Sequence, residues 1–471
     1  MKKRILAIIL CFCMIFALPF TIGCNNNVVS VVSVEKTASQ GLTDIYTITY
    51  SDGSTFTFEV KNGANGVDGE NGNDLTIEQV FEKYLEIHPS ATYEEFLEKF
   101  LSSSADGNAV ATNKALLSSA KIYTEFTVEQ AINPFQYVID TAISSGSAVI
   151  YKIDSDYTYF ITNYHVVYNK SAHETDKLAK NINIYLYGSE DSPVYENEVD
   201  INGYAVYEYG DYAIKAEYVG GSIVHDLAIV RAQTSVVKDI NSGVQPITFA
   251  SSYKVGETAI AIGNAEDEGL SVTEGIISVD NEFISLDIDG ASRTYRSIRI
   301  DTPIYSGNSG GGLYDTEGNL IGITNAGDGT DQNVNYAIPL KVVRGVVENV
   351  MEYSKVGSKK VNILSLGINV LAVNSKYVYD SVKGYGEIQE EVVVSAVQEN
   401  SIAKTLGLEE NYKLLAININ GTPYKLTRYF DIGDIILTIR SGDAISVTFN
   451  DRTSVKTGVE YVVQATDIKE I

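Results

Sequence analysis

Three short segments, far apart in the chain, constrain it more than any bulk property: Thr162-Asn163-Tyr164-His165-Val166-Val167, His225-Asp226-Leu227-Ala228 and Gly307-Asn308-Ser309-Gly310-Gly311. Together they supply an imidazole, a carboxylate and a hydroxyl. A serine becomes nucleophilic when an imidazole takes its proton, and the carboxylate holds the imidazole's tautomer and stabilises its charged form. The order His165, Asp226, Ser309 carries fold information as well. It goes with paired antiparallel β-barrels, whereas other orders of the same three groups sit on α/β sheets.

The glycines around Ser309 have a separate reason. Without a Cβ, Gly307 lets the backbone turn so that the amides of Gly307 and Ser309 face a developing oxyanion, and one such donor is worth about 3 kcal/mol in a transition state. His225 adjoins Asp226 and competes for the base role. On a strand, adjacent side chains face opposite sides, so His225 is expected to point away from the site. His173 stands among polar residues and reads as solvated, and His88 beside Pro89 reads as an inter-helix turn residue.

From about residue 116 to 350, short runs rich in Val, Ile, Tyr and Thr are broken by Gly, Asn and Asp. This suits an all-β double barrel, with residues 342–353 as a closing helix and the whole unit spanning 116–355. Upstream, 24–60 alternates with period two; residues 45–50 and 55–60, joined by Ser51-Asp52-Gly53-Ser54, read as a β-hairpin. Gly63, Gly66, Gly69 and Gly72 follow with collagen-like spacing but no proline, so 61–73 is read as a flexible spacer. The segment 76–85 recurs at 92–101, each copy opening with a capping box, which predicts two short amphipathic helices within 74–103. Residues 104–115 are small and polar and read as a linker.

The basic start Met1-Lys2-Lys3-Arg4 precedes an apolar stretch from Ile5 to Phe20, short for a bilayer-spanning helix of about 20 residues. Residues 1–23 therefore read as a secretion signal. Thr21-Ile22-Gly23-Cys24 resembles a bacterial lipobox, with Thr21 where Leu is usual, and implies a diacylglyceryl group on Cys24. Cys11 and Cys13 lie inside the signal, which leaves the mature chain no disulfide framework and no thiolate metal site. Anchoring by two or more acyl chains is stable, so the expected place is the extracytoplasmic face of the cell membrane. A net charge of −26 argues against nucleic acid or anionic lipid as an electrostatic partner. No EF-hand spacing occurs in the spacer, and neither metal nor organic cofactor is expected.

The three segments resemble those of the HtrA (DegP-like) family of trypsin-like serine proteases, and Gly146-Ser147-Ala148 is similar to its first barrel strand. The resemblance implies His165 as general base and later acid, Asp226 as its orienter, Ser309 as nucleophile, and the Gly307 and Ser309 amides as oxyanion hole. It implies a primary specificity pocket walled by Ile304, Asn325, Ala326 and Gly327; with no acidic residue there, cleavage is expected after small or medium apolar side chains. Tyr305-Ser306 and Gly312 replace prolines that are usual in the family around this block, which would loosen the nucleophile loop.

Ser365-Leu366-Gly367-Ile368, followed by segments at 391–397, 401–408 and 415–421, resembles a PDZ domain over 360–465. Leu366, Gly367 and Ile368 would receive the carboxylate of a C-terminal peptide that adds a strand to the sheet. Asn411-Tyr412-Lys413 departs from the Gly-Asp usual there. Taken together, the resemblance implies a membrane-tethered endopeptidase acting on misfolded or exposed segments of extracytoplasmic proteins, assembled as a homotrimer. Two other readings stay open: a peptide-binding chaperone or scaffold lipoprotein with a dormant protease site, and a surface adhesion or spacer lipoprotein built around the N-terminal repeats.

Overall fold

The computed structural model describes residues 31–40, 43–61, 81–82, 84–86, 89, 91–93, 95–96, 107–133, 136–189, 191–328 and 331–471. The signal, Cys24, the spacer glycines and His88 lie outside the described residues. The chain divides into two units, Met1–Phe96 and Leu97–Ile471.

In the first unit, β1 (Val31–Gln40), β2 (Thr43–Tyr50) and β3 (Thr55–Lys61) form an antiparallel sheet in that order. The hairpin lies where the alternation put it, with Thr49 opposite Thr55, and its turn is closed by Ser54 N–H donating to Asp52 Oδ1 at 2.9 Å. The second helical repeat carries its capping box: Thr92 N–H donates to Glu95 Oε2 at 2.8 Å and Glu95 N–H to Thr92 Oγ1 at 3.2 Å. Phe81 packs its ring against Phe96 and Tyr93, each at 5.0 Å between centroids.

The second unit opens with α1 (Gly107–Leu116), where the sequence reading had a linker. Its small residues are the reason for the difference. Ala111 and Ala115 are buried with Leu116 in the core, and the chain comes so close that a Cβ on Gly318 would lie 2.7 Å from the Ala111 carbonyl. Lys114 Nζ then fastens the helix to the Glu317 carbonyl and Asn319 Oδ1, both at 3.0 Å.

The first barrel contains β4 (Ser119–Asn133), β5 (Gln136–Ile153), β6 (Tyr157–Thr162) and β7 (Asn181–Leu186). After a separate hairpin of β8 (Val194–Val199) and β9 (Ala205–Glu208), it is completed by β10 (Ile214–Ser222) and β11 (Leu227–Gln233) and closes in the order β10-β11-β6-β5-β4-β7. The second barrel comprises β12 (Thr258–Gly263), β13 (Ser271–Asp287), β14 (Ser292–Ile300), β15 (Gly312–Tyr314), β16 (Leu320–Asp328) and β17 (Asp331–Pro339), in the order β12-β13-β14-β17-β16-β15. Gly146-Ser147-Ala148 lies in the second strand of its barrel, not the first.

Period-two alternation explains why β11 and β12 are buried on both faces. Leu227, Ile229, Ile260 and Ile262 share one core at the seam of the barrels, whereas Ala228 and Val230 belong to the first barrel's core and Ala259 and Ala261 to the second's. The two short helices α2 (Tyr164–Val167) and α3 (Thr234–Ile240) decorate the first barrel, and α4 (Leu340–Ser354) covers the seam. Its Val343, Val346, Val347 and Val350 recur at helical spacing and are fully buried there.

The C-terminal part has its own core and a seven-stranded sheet. Its elements are β18 (Asn362–Leu364), β19 (Ile368–Asp380), β20 (Tyr385–Val397), α5 (Ile402–Thr405), β21 (Lys413–Ile419), β22 (Thr422–Lys425), α6 (Asp431–Ile436), β23 (Ala444–Asn450), β24 (Val455–Thr457), β25 (Tyr461–Val462) and β26 (Ile468–Glu470). β26 pairs with β18, so the module runs beyond the expected end at 465. Leu437, just after α6, is buried in the seam core; a Cβ on Gly345 of α4 would lie 2.8 Å from its Cβ. Arg296 pairs with Asp434, Arg428 with Asp280 at 2.9 Å, and Phe283 stacks on Tyr429. The two barrels and the C-terminal module therefore share one packed interface.

Candidate active site

His165 occupies the single turn α2, whose Val166 and Val167 are anchored in the first barrel's core. Its N–H donates to Asp226 Oδ1 at 3.1 Å, and its ring Nδ1 lies 3.0 and 2.9 Å from Asp226 Oδ1 and Oδ2. Burial works against the imidazolium, but the charge and hydrogen bond of Asp226 outweigh it, and the His165 pKa is raised above its ordinary 6.5.

Asp226 is fully buried and adopts a left-handed backbone with φ 53°, a conformation that Asp tolerates better than most residues. Two neighbours hold the turn. Asn163 Nδ2 donates to the Asp226 carbonyl at 2.9 Å, and Tyr295 Oη, from β14 of the other barrel, donates to the Ile223 carbonyl at 2.8 Å.

His225 lies in this turn, ahead of β11, so strand alternation does not apply to it. Ser222 Oγ lies 2.8 Å from its Nδ1, and burial pushes its pKa down to about 4. His173 is exposed.

The loop carrying Ser309 is pinned from several sides. Gly310 N–H donates to the Thr324 carbonyl at 2.9 Å, Thr324 Oγ1 to the Asn308 carbonyl at 2.7 Å, and Asn308 N–H to the Tyr305 carbonyl at 3.1 Å. The amides of Gly307 and Ser309 have no acceptor among the described residues. Gly307 has φ 91°, and a Cβ there would lie 2.0 Å from the Asn264 carbonyl oxygen; at Gly310 (φ 86°) it would lie 2.2 Å from that of Ser147. Both positions therefore require glycine.

Ser147 ties the barrels together here. Its N–H donates to the Ser309 carbonyl and its Oγ to the Gly307 carbonyl, both at 2.8 Å, while the Asn264 N–H donates to the same Oγ at 2.8 Å. A Cβ on the preceding Gly146 would touch the Val166 side chain at 2.9 Å and the Ser309 carbonyl oxygen at 3.1 Å, so β5 brings the His165 turn and the Ser309 loop together. Ser309 Oγ makes no hydrogen bond to His165 in this arrangement. Ser147, Asn163, Asn264 and Tyr295 were not singled out for these roles from the sequence. Asn163 stands two residues before His165, but nothing in a linear sequence tells that its amide reaches the Asp226 carbonyl.

Ile304 is half-buried and packs against the buried core of the second barrel. Asn325 is buried and neither of its amide atoms has a partner among the described residues; Ala326 is half-buried and Gly327 exposed. In the C-terminal module Leu366 is a core residue whose carbonyl accepts from Ala403 N–H at 2.9 Å, and the Gly367 carbonyl accepts from Gln398 N–H at 2.9 Å. Ile368 begins β19, an edge strand of the sheet. Among the described residues no group of three His, Cys, Asp or Glu could hold a metal ion.

Residues 146–323 match the trypsin-like peptidase domain family. The chain is 26% identical over 339 residues to the serine protease Do-like HtrA of Lactococcus lactis subsp. cremoris, covering 69% of this chain and 72% of that one. It is 29% identical over 279 residues to the serine protease HtrA-like of Staphylococcus aureus, covering 56% of this chain but only 31% of that longer relative. Among solved structures it is similar to the HtrA-type protease AlgW with decapeptide, at 23% identity over 77% of this chain and 99% of that one, with a TM-score of 0.47. The protein is a serine endopeptidase with a trypsin-like peptidase domain, similar to HtrA-type proteases.

Proposed function

We propose that His165, Asp226 and Ser309 are the catalytic triad of a membrane-tethered, HtrA-type endopeptidase that cleaves misfolded or exposed segments of extracytoplasmic proteins. The observation that carries this reading is the His165 ring seated on the buried Asp226 carboxylate at 2.9 Å. Ser309 Oγ attacks the scissile carbonyl as His165 Nε2 takes its proton, and the oxyanion accepts hydrogen bonds from the Gly307 and Ser309 amides. His165 then returns the proton to the leaving amine, and water releases the acyl group by the same route in reverse.

The side chain on the acyl side of the scissile bond enters a pocket walled by Ile304, Asn325, Ala326 and Gly327. The 360–465 region acts as a PDZ-like module, taking a C-terminal peptide beside β19 with Leu366, Gly367 and Ile368 at its carboxylate. A lipid on Cys24 holds the enzyme at the outer face of the membrane, where it works as a homotrimer.

Degradation of β-casein by the parent protein and none by Ser309→Ala supports the triad; equal degradation by both removes it. A second reading, a peptide-binding chaperone or scaffold with a dormant site, draws on the missing hydrogen bond between Ser309 and His165. A fluorophosphonate probe separates the two: an engaged Ser309 is labelled, a dormant one is not.

A further inference from the structure

β16 and β17 set Gly327 directly opposite Asn335. The Asn335 side chain is buried, at 1% exposure, and its Nδ2 donates to the Thr302 carbonyl at 2.9 Å. A Cβ on Gly327 would stand 2.6 Å from Asn335 Oδ1 and 3.3 Å from the Ile304 carbonyl oxygen. The amide of Asn335 thus spans the space between the segment from Thr302 to Ile304 and Gly327, which are opposite walls of the proposed specificity pocket.

The structure assigns Asn335 as the floor of that pocket and the residue that sets its depth, favouring small over long side chains at the substrate position before the scissile bond. The inference rests on the pocket reading given above. A glycine in a pocket wall leaves room for a substrate side chain; at Gly327 that room is taken by the Asn335 amide. A longer substrate side chain would have to displace this amide and break its Nδ2 hydrogen bond to the Thr302 carbonyl, which costs free energy. One methylene in such a pocket is worth roughly 10- to 200-fold in discrimination, so small changes at the floor are readable.

The test uses paired peptides differing only in Ala or Leu before the scissile bond, with parent protein, Asn335→Gly and Ile304→Ala, each normalised to fluorophosphonate-titrated sites. The parent is expected to prefer Ala, and Asn335→Gly to raise the Leu-to-Ala ratio of kcat/KM by about tenfold or more. If Ile304→Ala alters the ratio and Asn335→Gly does not, the pocket stands and Asn335 is not its floor. If neither alters it, the pocket itself is misassigned and the inference falls with it. Should the glycine variant fail to fold, Asn335→Ala, which keeps the strand and removes only the amide, reads the same ratio and decides the same way.

Discussion

The hydroxyl of Ser147 donates to the carbonyl of Gly307 at 2.8 Å while accepting the amide of Asn264 at the same distance, so one side chain of the first barrel fastens the loop of the second that carries Ser309. Ser147 is almost wholly buried.

Ser147→Ala leaves a buried amide and a buried carbonyl without their partner, at roughly 1–3 kcal/mol. The expected outcome is a fall of about tenfold to a hundredfold in kcat/KM together with slower fluorophosphonate labelling of Ser309. Unchanged labelling would show that the loop holds its shape without this strut.

The raised pKa of His165 gives a pH dependence with a definite sign. With His165 as the proposed base, acting as neutral imidazole, kcat/KM of the free enzyme is expected to rise with pH through a value above 6.5. Asp226→Asn removes the raising charge and the tautomer control, with an expected loss of about 10,000-fold near neutral pH. Because the folded pKa lies above the unfolded one, the stabilisation from this pair is full below the unfolded value and lost as pH rises through the folded value. The gap in Tm between parent and Asp226→Asn should therefore be wider at pH 5.5 than at pH 9; the opposite trend would contradict the shift.

Tyr295 supports the Asp226 turn from the far barrel. Burial, with the charge of Asp226 adding to it, pushes its pKa well up, so the phenol stays a donor at any ordinary pH. Tyr295→Phe should cost about 0.5–1.5 kcal/mol and lower kcat more than it raises KM, read from denaturant unfolding and steady-state kinetics on one preparation.

Leu437→Ala empties a site in the core shared with α4 and should destabilise by about 2–5 kcal/mol. Unfolding followed by circular dichroism should shift as one transition for barrels and module together. A separate early transition would show that the interface adds no cooperativity.

The barrels were legible because their signals are local. Alternating apolar runs such as Thr258–Gly263 and the blocks around His165, Asp226 and Ser309 carry their meaning within a few residues. α1 was not, since Gly107–Leu116 has only a weak apolar stripe and is held by burial of Ala111 and Ala115 against distant strands. His225 shows a different limit: the expectation that it faces away came from a strand that does not begin until Leu227. Ser147, Tyr295 and Asn335 act across sequence separations of 160, 72 and 33 residues, which no periodicity encodes.

The placement of Leu437 bears on what a cut in the chain would do. Residues 355–357 and 359–360, on the way from α4 to β18, are exposed. Yet the Lys359 carbonyl accepts from Gly221 N–H at 2.9 Å, Asn349 Nδ2 reaches the Asn362 and Leu437 carbonyls, and the seam core closes over Leu437. A protease nicking this stretch would yield two fragments on a denaturing gel and one particle in solution, a clipped form that sediments as though it were whole.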